Sequence, residues 1–256
     1  NGGDSNTDVL TMLSSKSFEL SVSDKMKDLL DNLTNPETFN NLDSISKKMI
    51  SECKKQYDDN KNIPSNLYSK YIHVVSQSEQ TWQKAKSDND FKTMVPYLKE
   101  IIELTKEMYS YSKPNVDTYN ALLDDYEKGI TANQLDTIFK ELKEGTIPLI
   151  EAISKKDKIN QHIFNGHYPI HLQERLSNYF LDVINFDFKS GCLSQSEHPF
   201  TTGINSPYDV RITTNYDIND IRSSLFSVLH EGGHAIYEQN INPKLVGTRL
   251  NTGASI

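Results

Sequence analysis

One short segment, residues 223–239, constrains the fold of this chain more than any other part of the sequence. It reads SSLFSVLHEGGHAIYEQ and contains the pattern H-E-x-x-H at residues 230–234. On an α-helix, residues four apart lie one turn above each other on the same face. His230 and His234 can therefore present two imidazole nitrogens to one metal ion. Glu231 lies beside them, where its carboxylate can take a proton from a metal-bound water.

Two features of the segment distinguish it from an ordinary surface helix with two histidines. Gly232 and Gly233 are adjacent in the middle of the helix, where each costs roughly 1 kcal/mol relative to Ala. A helix that must let another backbone approach closely has a reason to carry glycine. Apolar residues cover most of the circumference, and the polar residues form one narrow stripe, which consists of Ser223, Ser227, His230, His234 and Glu238. Because a surface helix shows its polar face to solvent, we predict a buried helix whose stripe lines an internal cleft.

The remainder of the sequence predicts a mainly α fold with a small β-sheet next to the H-E-x-x-H helix. Apolar residues recur at helical spacing as far as Val183. From residue 185 to 216 the helical period is lost, and residues 209–214 alternate as in a β-strand, with 198–202 either a partner strand or a turn. Asp217 or Asn219 is predicted to cap the metal-site helix. The predicted helices start at Ser23, Asn35-Pro36, Pro64, Phe91, Asn115, Thr131 and Pro169.

We predict one mainly helical region rather than several domains. Its parts are a helical stretch 1–184, whose first seven residues are polar and either frayed or truncated, a loop and strand segment 185–216, the metal-site helix 217–239 and a tail 240–256. The helix that starts at Asn35-Pro36 is predicted to continue to about Tyr57.

The overall composition excludes several classes of partner. The formal net charge is −8, so we expect no general affinity for nucleic acid or anionic membranes. No run is long and apolar enough to span a bilayer, and no signal peptide opens the sequence. Cys53 and Cys192 lack the spacing of a metal site. We therefore expect a cytoplasmic protein with reduced thiols.

Three further polar residues are candidates for chemistry. His198 is either a hydrogen-bonded structural histidine or part of a site. Asp209 and Arg211 occupy alternate positions on the same strand face. They form either an ion pair across strands or part of a strand edge that holds a peptide substrate in extended form.

The sequence does not supply a complete metal site. A catalytic zinc site needs three protein ligands and one open position, and the pattern supplies two. Glu238 lies roughly 12 Å along the helix axis from His230 at 1.5 Å rise per residue, too far to join the same coordination sphere. We therefore expect the third ligand to lie outside this chain, which would then be a fragment of a longer enzyme.

Three motifs in order resemble those of the carboxypeptidase Taq family of metallocarboxypeptidases. They are His198-Pro199-Phe200, then Asp209-Val-Arg211-Ile-Thr213, then the H-E-G-G-H segment. Weaker similarity extends upstream, to residues 82–96 and 121–127. The resemblance thus covers most of the chain.

The resemblance implies a multi-helix, zincin-like peptidase domain that is often a homodimer and that removes C-terminal residues from peptides with broad preference. It implies a divalent metal, zinc first, with cobalt or manganese able to replace it. Carried over, the metal ligands are His230 and His234, and Glu231 is the general base. The residues it implies for the substrate cleft are His198, Asp209, Arg211 and Thr213.

For the fragment itself we expect little activity and weak or no metal binding. Two alternatives to a carboxypeptidase stay open at this point. One is a different zinc peptidase, either an endopeptidase or an aminopeptidase. The other is a catalytically dead helical binding module.

Overall fold

The computed structural model describes residues 3–158, 164, 166–204, 206–248 and 250–251. These residues form helices together with one small sheet, which confirms the predicted fold class. They divide into two compact units, one up to Lys140 and the other from Glu141 onward. Within the described part of the chain, no helix has the length and apolar character needed to cross a membrane. The last five residues of the predicted tail lie outside the described residues.

The first unit consists of helices whose starts follow local capping signals. The Ser23 side chain accepts a hydrogen bond from the Met26 N–H, and Asn35 caps a helix that has Pro36 in its first turn, as predicted. The helices are α1 (Gly3–Ser21), α2 (Asp24–Thr34), α3 (Pro36–Asn40), α4 (Ser44–Asn60), α5 (Ser65–Ser87), α6 (Phe91–Ser112), α7 (Thr118–Tyr126) and the first part of α8 (Ala132–Ser154).

Two predictions for this unit are wrong. The helix predicted to continue to about Tyr57 is divided into α3 and α4, because the Asp43 carboxylate accepts from the N–H groups of Ile45 and Ser46 and starts a new helix. Residues 3–7, predicted to be frayed, begin α1. The Thr7 hydroxyl is buried and lies 3.0 Å from the hydroxyl of Ser76.

The core of the first unit lies where α1 and α6 pack against α5. The rings of Phe18 and Tyr68 stack with their centroids 4.2 Å apart, which joins α1 to α5. The buried cluster between α5 and α6 consists of Leu67, Val74, Leu104 and Met108.

The second unit holds the sheet and the H-E-x-x-H helix. Its elements are the end of α8, then α9 (Ile170–Val183), β1 (Gly191–Gln195), β2 (Thr201–Gly203), β3 (Val210–Thr214), α10 (Ile221–Gln239) and a short 3₁₀ turn (Pro243–Leu245). The strand order is β1-β3-β2, with β1 parallel and β2 antiparallel to β3. The predicted strand at 209–214 is confirmed as β3. Of the two alternatives for residues 198–202, a partner strand or a turn, the structure shows the strand, β2. Strand β1 was not predicted.

Buried apolar contacts fix the position of α10. Val210 and Ile212 of β3 form one core with Val228 and Ala235 of α10 and Leu181 of α9, and all five side chains are fully buried. The sheet and α9 therefore hold the helix that carries the H-E-x-x-H pattern.

The cap of α10 differs from the prediction. Asp220, rather than Asp217 or Asn219, is the N-cap, and its carboxylate accepts from the Arg222 N–H. The guanidinium of Arg222 also pairs with this carboxylate at 2.7 Å. The hydrogen bonds from Arg222 hold the pKa of Asp220 below its ordinary value.

Candidate metal centre

The packing of α10 on Leu181 and Ile184 leaves little room for a side chain at Gly232. A Cβ at this position would lie 2.6 Å from Ile184 Cδ1 and 2.9 Å from Leu181 Cδ2, well inside the normal carbon contact distance of about 3.5–4.0 Å. Close approach therefore explains this glycine, although the neighbours are side chains rather than the backbone that was expected. At Gly233 a Cβ would meet no atom of the described residues within 4 Å, so close approach does not explain the second glycine.

The predicted burial of α10 is only partly correct. One face is buried, and its residues are Ser224, Val228, Glu231, Gly232 and Ala235. Phe226 and Tyr237 were expected to be covered, but they are 66% and 51% exposed. His230 and His234 are exposed as well, so the prediction that this part of the helix is buried is wrong. Ser227, His230, His234 and Glu238 of the predicted stripe nevertheless line open cavities. Among the described residues, α9 and the sheet pack on one face of the helix, and the face that carries Phe226 and Tyr237 stays exposed.

The two histidine side chains nevertheless converge. His230 Nε2 and His234 Nε2 lie 3.3 Å apart, with the two rings at 84° to each other. Two nitrogens bound to one tetrahedral zinc ion at 2.0–2.1 Å are separated by about 3.3–3.4 Å. The pair therefore fits the separation that a shared zinc ion requires, and neutral imidazole is a common ligand for zinc and other divalent transition metals.

The part of the chain that the structure describes places no third metal ligand beside this pair. Across the described residues, no group of three or more His, Cys, Asp or Glu side chains is arranged to hold a metal ion. Glu238 lines a cavity together with His234 but does not complete such a group. The expectation that another part of the protein supplies the third ligand stays a prediction.

Glu231 is the buried acid of the site, with 9% of its surface exposed. The Thr201 hydroxyl lies 2.8 Å from Glu231 Oε2 and 2.8 Å from the Glu231 backbone oxygen. Thr201 was not among the predicted site residues, because no local pattern joins a strand residue to a helix residue thirty positions later. Its place directly after the H-P-F motif was the one available signal.

Two cavities lie along α10 on the side of the histidines. The larger, about 780 Å³, is lined by Phe226, Ser227, Leu229, His230, Glu231, His198 and Pro199. The smaller, about 340 Å³, has both acids of the helix on its wall and is lined by Glu231, His234, Glu238, His198, Pro199, Phe200 and Thr201. Glu231 and His198 border both cavities, so the structure brings His198 to the metal-site helix.

Thr213 holds the loop that carries His198. Its hydroxyl oxygen accepts a hydrogen bond from the Phe200 N–H at 3.0 Å and lies 2.7 Å from the Ser196 hydroxyl. Ser196 in turn donates to the backbone oxygen of His198 at 2.6 Å. Thr213 therefore holds the loop that forms one wall of the cavities, although it lines neither cavity itself.

Asp209 and Arg211 form a bidentate ion pair at the start of β3. The Arg211 Nε and Nη2 atoms each donate to one carboxylate oxygen at 2.9 Å. These bonds hold the pKa of Asp209 below its ordinary value. The two residues do form an ion pair, but it joins Asp209, directly before β3, to Arg211 of the same strand rather than bridging two strands. The strand-edge interpretation is wrong, because β3 is the central strand and pairs on both sides.

The geometry gives a histidine pair, a buried acid and adjoining cavities, and sequence comparison then decides the family. A model of the carboxypeptidase Taq (M32) metallopeptidase family matches residues 1–256. The chain belongs to the M32 family. The predicted resemblance is therefore confirmed.

Known M32 relatives share the sequence and the fold. Carboxypeptidase 1 of Bacillus subtilis (strain 168) is 40% identical over 257 residues, which cover 100% of this chain and 51% of the relative. The thermostable carboxypeptidase 1 of Thermus thermophilus is 33% identical over 81% of this chain and 42% of its own length. This M32 chain thus spans about half the length, or less, of these curated relatives.

Solved structures agree with this assignment. The crystal structure named BsuCP has a TM-score of 0.95 at 40% identity, covering 100% of this chain and 51% of that one. The M32 carboxypeptidase of Deinococcus radiodurans R1 has a TM-score of 0.84 at 26% identity, covering 99% of this chain and 50% of that one.

Proposed function

We propose that a longer polypeptide containing this chain is a metal-dependent carboxypeptidase that hydrolyses the C-terminal peptide bond of peptides with broad side-chain preference. Membership of the M32 metallopeptidase family supports the reaction class, and two relatives carry the name carboxypeptidase. The single structural observation that carries the proposal is the 3.3 Å separation of the two Nε2 atoms in the histidine pair.

His230 and His234 would hold the metal through Nε2, with both rings neutral and protonated on Nδ1. We propose zinc, with cobalt or manganese able to replace it. When bound, a divalent cation supplies Lewis acidity there: it polarises the scissile carbonyl and acidifies a water molecule. The ligand that completes the site would come from outside this chain.

Glu231 would act as the general base. Its carboxylate borders both cavities next to the histidine pair, so it can accept a proton from the attacking water and deliver it to the leaving amine nitrogen. The residue is largely buried, with 9% of its surface exposed, so its carboxylate is reached from the two cavities. His198 would form the wall of the substrate cleft that faces α10, and the loop anchored by Thr213 would hold it there.

The test uses the complete polypeptide loaded with zinc and peptides blocked at one end. An N-acetylated peptide with a free C-terminus should lose single residues from that end, and the same peptide with a C-terminal amide should resist. Release of N-terminal residues from a third peptide, with a free N-terminus and a C-terminal amide, would indicate an aminopeptidase instead, and internal cleavage of any of the three an endopeptidase. No cleavage together with no metal would favour a helical binding module.

A Glu231→Gln variant separates the base from the metal ligands. It should lose turnover by at least ~100-fold, because general base catalysis contributes 10²–10⁴-fold, while its zinc content stays at the wild-type level. Retained turnover in this variant would reject the assigned role.

For the 256-residue chain alone we propose little activity and weak metal binding, because only two ligands converge in its described residues. Elemental analysis of the purified chain after dialysis tests this point. One tightly held metal ion per chain would contradict it. Homodimer formation by the longer protein stays a prediction.

A further inference from the structure

Strand β2 places one hydroxyl group against the metal-site helix. Thr201 Oγ1 lies 2.8 Å from both the carboxylate Oε2 and the backbone oxygen of Glu231. Because both acceptors belong to one residue, the hydroxyl links the Glu231 carboxylate to the backbone oxygen of the same residue. A glutamate without such a bridge samples several rotamers, so this contact restricts where the carboxylate can be.

Rigid parts of the fold determine the position of that hydroxyl. Thr201 pairs with Ile212 in the antiparallel β2–β3 ladder, and Ile212 is fully buried in the core that also holds α10. The χ1 angle of a β-branched threonine is itself restricted. The sheet therefore aims the hydroxyl at α10, and the aim does not depend on a flexible side chain.

The two carboxylate oxygens of Glu231 differ in the hydrogen-bond donors that reach them, and this difference gives them different roles. Thr201 Oγ1 has one proton, which it can donate to Oε2 or to the backbone oxygen. The charged Oε2 is the stronger acceptor. In the described part of the protein, no group donates a hydrogen bond to Oε1. That oxygen is therefore left available for the proton of an attacking water.

We propose that Thr201 is a positioning residue that fixes the rotamer of Glu231, holding Oε2 so that Oε1 is presented to water beside the histidine pair. This inference rests on the function proposed above, because it assumes that Glu231 is the general base. Thr201 does not touch substrate or metal in this role; it acts through Glu231.

The test compares three variants of the complete, zinc-loaded polypeptide. Thr201→Val removes the hydroxyl at nearly constant shape and should lower kcat roughly 10- to 100-fold, because small displacements of a catalytic group cost up to about 10²-fold. KM should change by less than about twofold and zinc content should stay the same, because uniform substrate binding is not affected. Thr201→Ser keeps the hydroxyl and should restore most of kcat. Thr202→Val makes the same change at the next residue of β2, on the opposite strand face, and should match wild type.

The outcomes separate this inference from the proposed function. Wild-type kcat in Thr201→Val, or a Ser variant as slow as the Val variant, would overturn the positioning role. A wild-type protein with no carboxypeptidase activity would instead reject the proposed function. In that case the crystal structure of Thr201→Val still decides the question, because the Glu231 carboxylate should leave its present rotamer while the histidine pair stays. An unmoved Glu231 carboxylate would overturn the inference whatever the activity.

Discussion

The two adjacent glycines of α10 allow a matched experiment on how tightly the metal-site helix is packed. Gly232→Ala places a methyl group 2.6 Å from Ile184 Cδ1 and 2.9 Å from Leu181 Cδ2, whereas Gly233→Ala places it where no described atom lies within 4 Å. Both substitutions gain about 1 kcal/mol of helix propensity. The two variants therefore differ only in the steric overlap at residue 232.

The size of this overlap sets the expected difference in the free energy of unfolding. The closest approach is about 1 Å shorter than a normal carbon contact, and overpacking of a core costs typically 1–3 kcal/mol. Leu181 is fully buried and has no free space to move into, but Ile184 is half-buried and its terminal methyl can turn aside. We expect Gly233→Ala to be about 1 kcal/mol more stable than wild type. Gly232→Ala should be 1–3 kcal/mol less stable than Gly233→Ala.

Guanidinium unfolding followed by far-UV circular dichroism measures the difference, as a shift in the midpoint at constant slope. Gly233→Ala should have the highest midpoint of the three proteins. The midpoint of Gly232→Ala should lie well below that of Gly233→Ala, whichever side of wild type it falls on. Equal midpoints for the two alanine variants would show that α9 does not press on α10 as described, and the argument from close approach would fail.

Three further predictions concern stability, the loop and the metal. Hydrogen bonds from Lys48 and Lys128 lower the pKa of Glu52 from 4.5 to about 2. The Glu52 carboxylate therefore contributes about 1 kcal/mol to the free energy of unfolding after solvent screening. This contribution is complete above pH 4.5 and is lost as the pH falls toward 2. Urea unfolding of wild type and Glu52→Gln should therefore differ at pH 6 and converge near pH 2. Thr213→Val leaves the Phe200 N–H without its acceptor and should lower the free energy of unfolding by about 1–3 kcal/mol. The same urea assay measures this change, and Thr202→Val serves as the control that should be unaffected. Chelation should abolish peptidase activity of the complete polypeptide, and added zinc should restore it; activity that survives metal removal would contradict the proposed mechanism.

Local signals predicted most helix starts. True starts were marked by a serine, by an asparagine followed by proline, and by a lone proline. Serine and asparagine side chains accept hydrogen bonds from backbone N–H groups that the first turn leaves free, and proline has no such N–H group. The same physics also explains the failure after Asn35-Pro36. Asp43 follows Leu42 directly and caps α4, but the apolar spacing on either side made the two helices look continuous.

Nonlocal contacts account for what the sequence could not show. Strand β1 is short and shows no clear alternation of apolar and polar residues, and it exists because it pairs with β3. The hydroxyl of Thr201 and the carboxylate of Glu231 meet only through the packing of β2 on α10. The pattern of α10 predicted which residues share a face, and the paired imidazoles agree with it. It could not predict which faces the rest of the chain would cover.

The central strand β3 positions both walls of the site. One side of β3 supports α10 through Ile212, and the other side anchors the His198 loop through Thr213. Because neighbouring strand residues point in opposite directions, one inserted or deleted residue in β3 would exchange the two sides at once. A change in the length of this strand would therefore move the acid and the loop histidine out of alignment together.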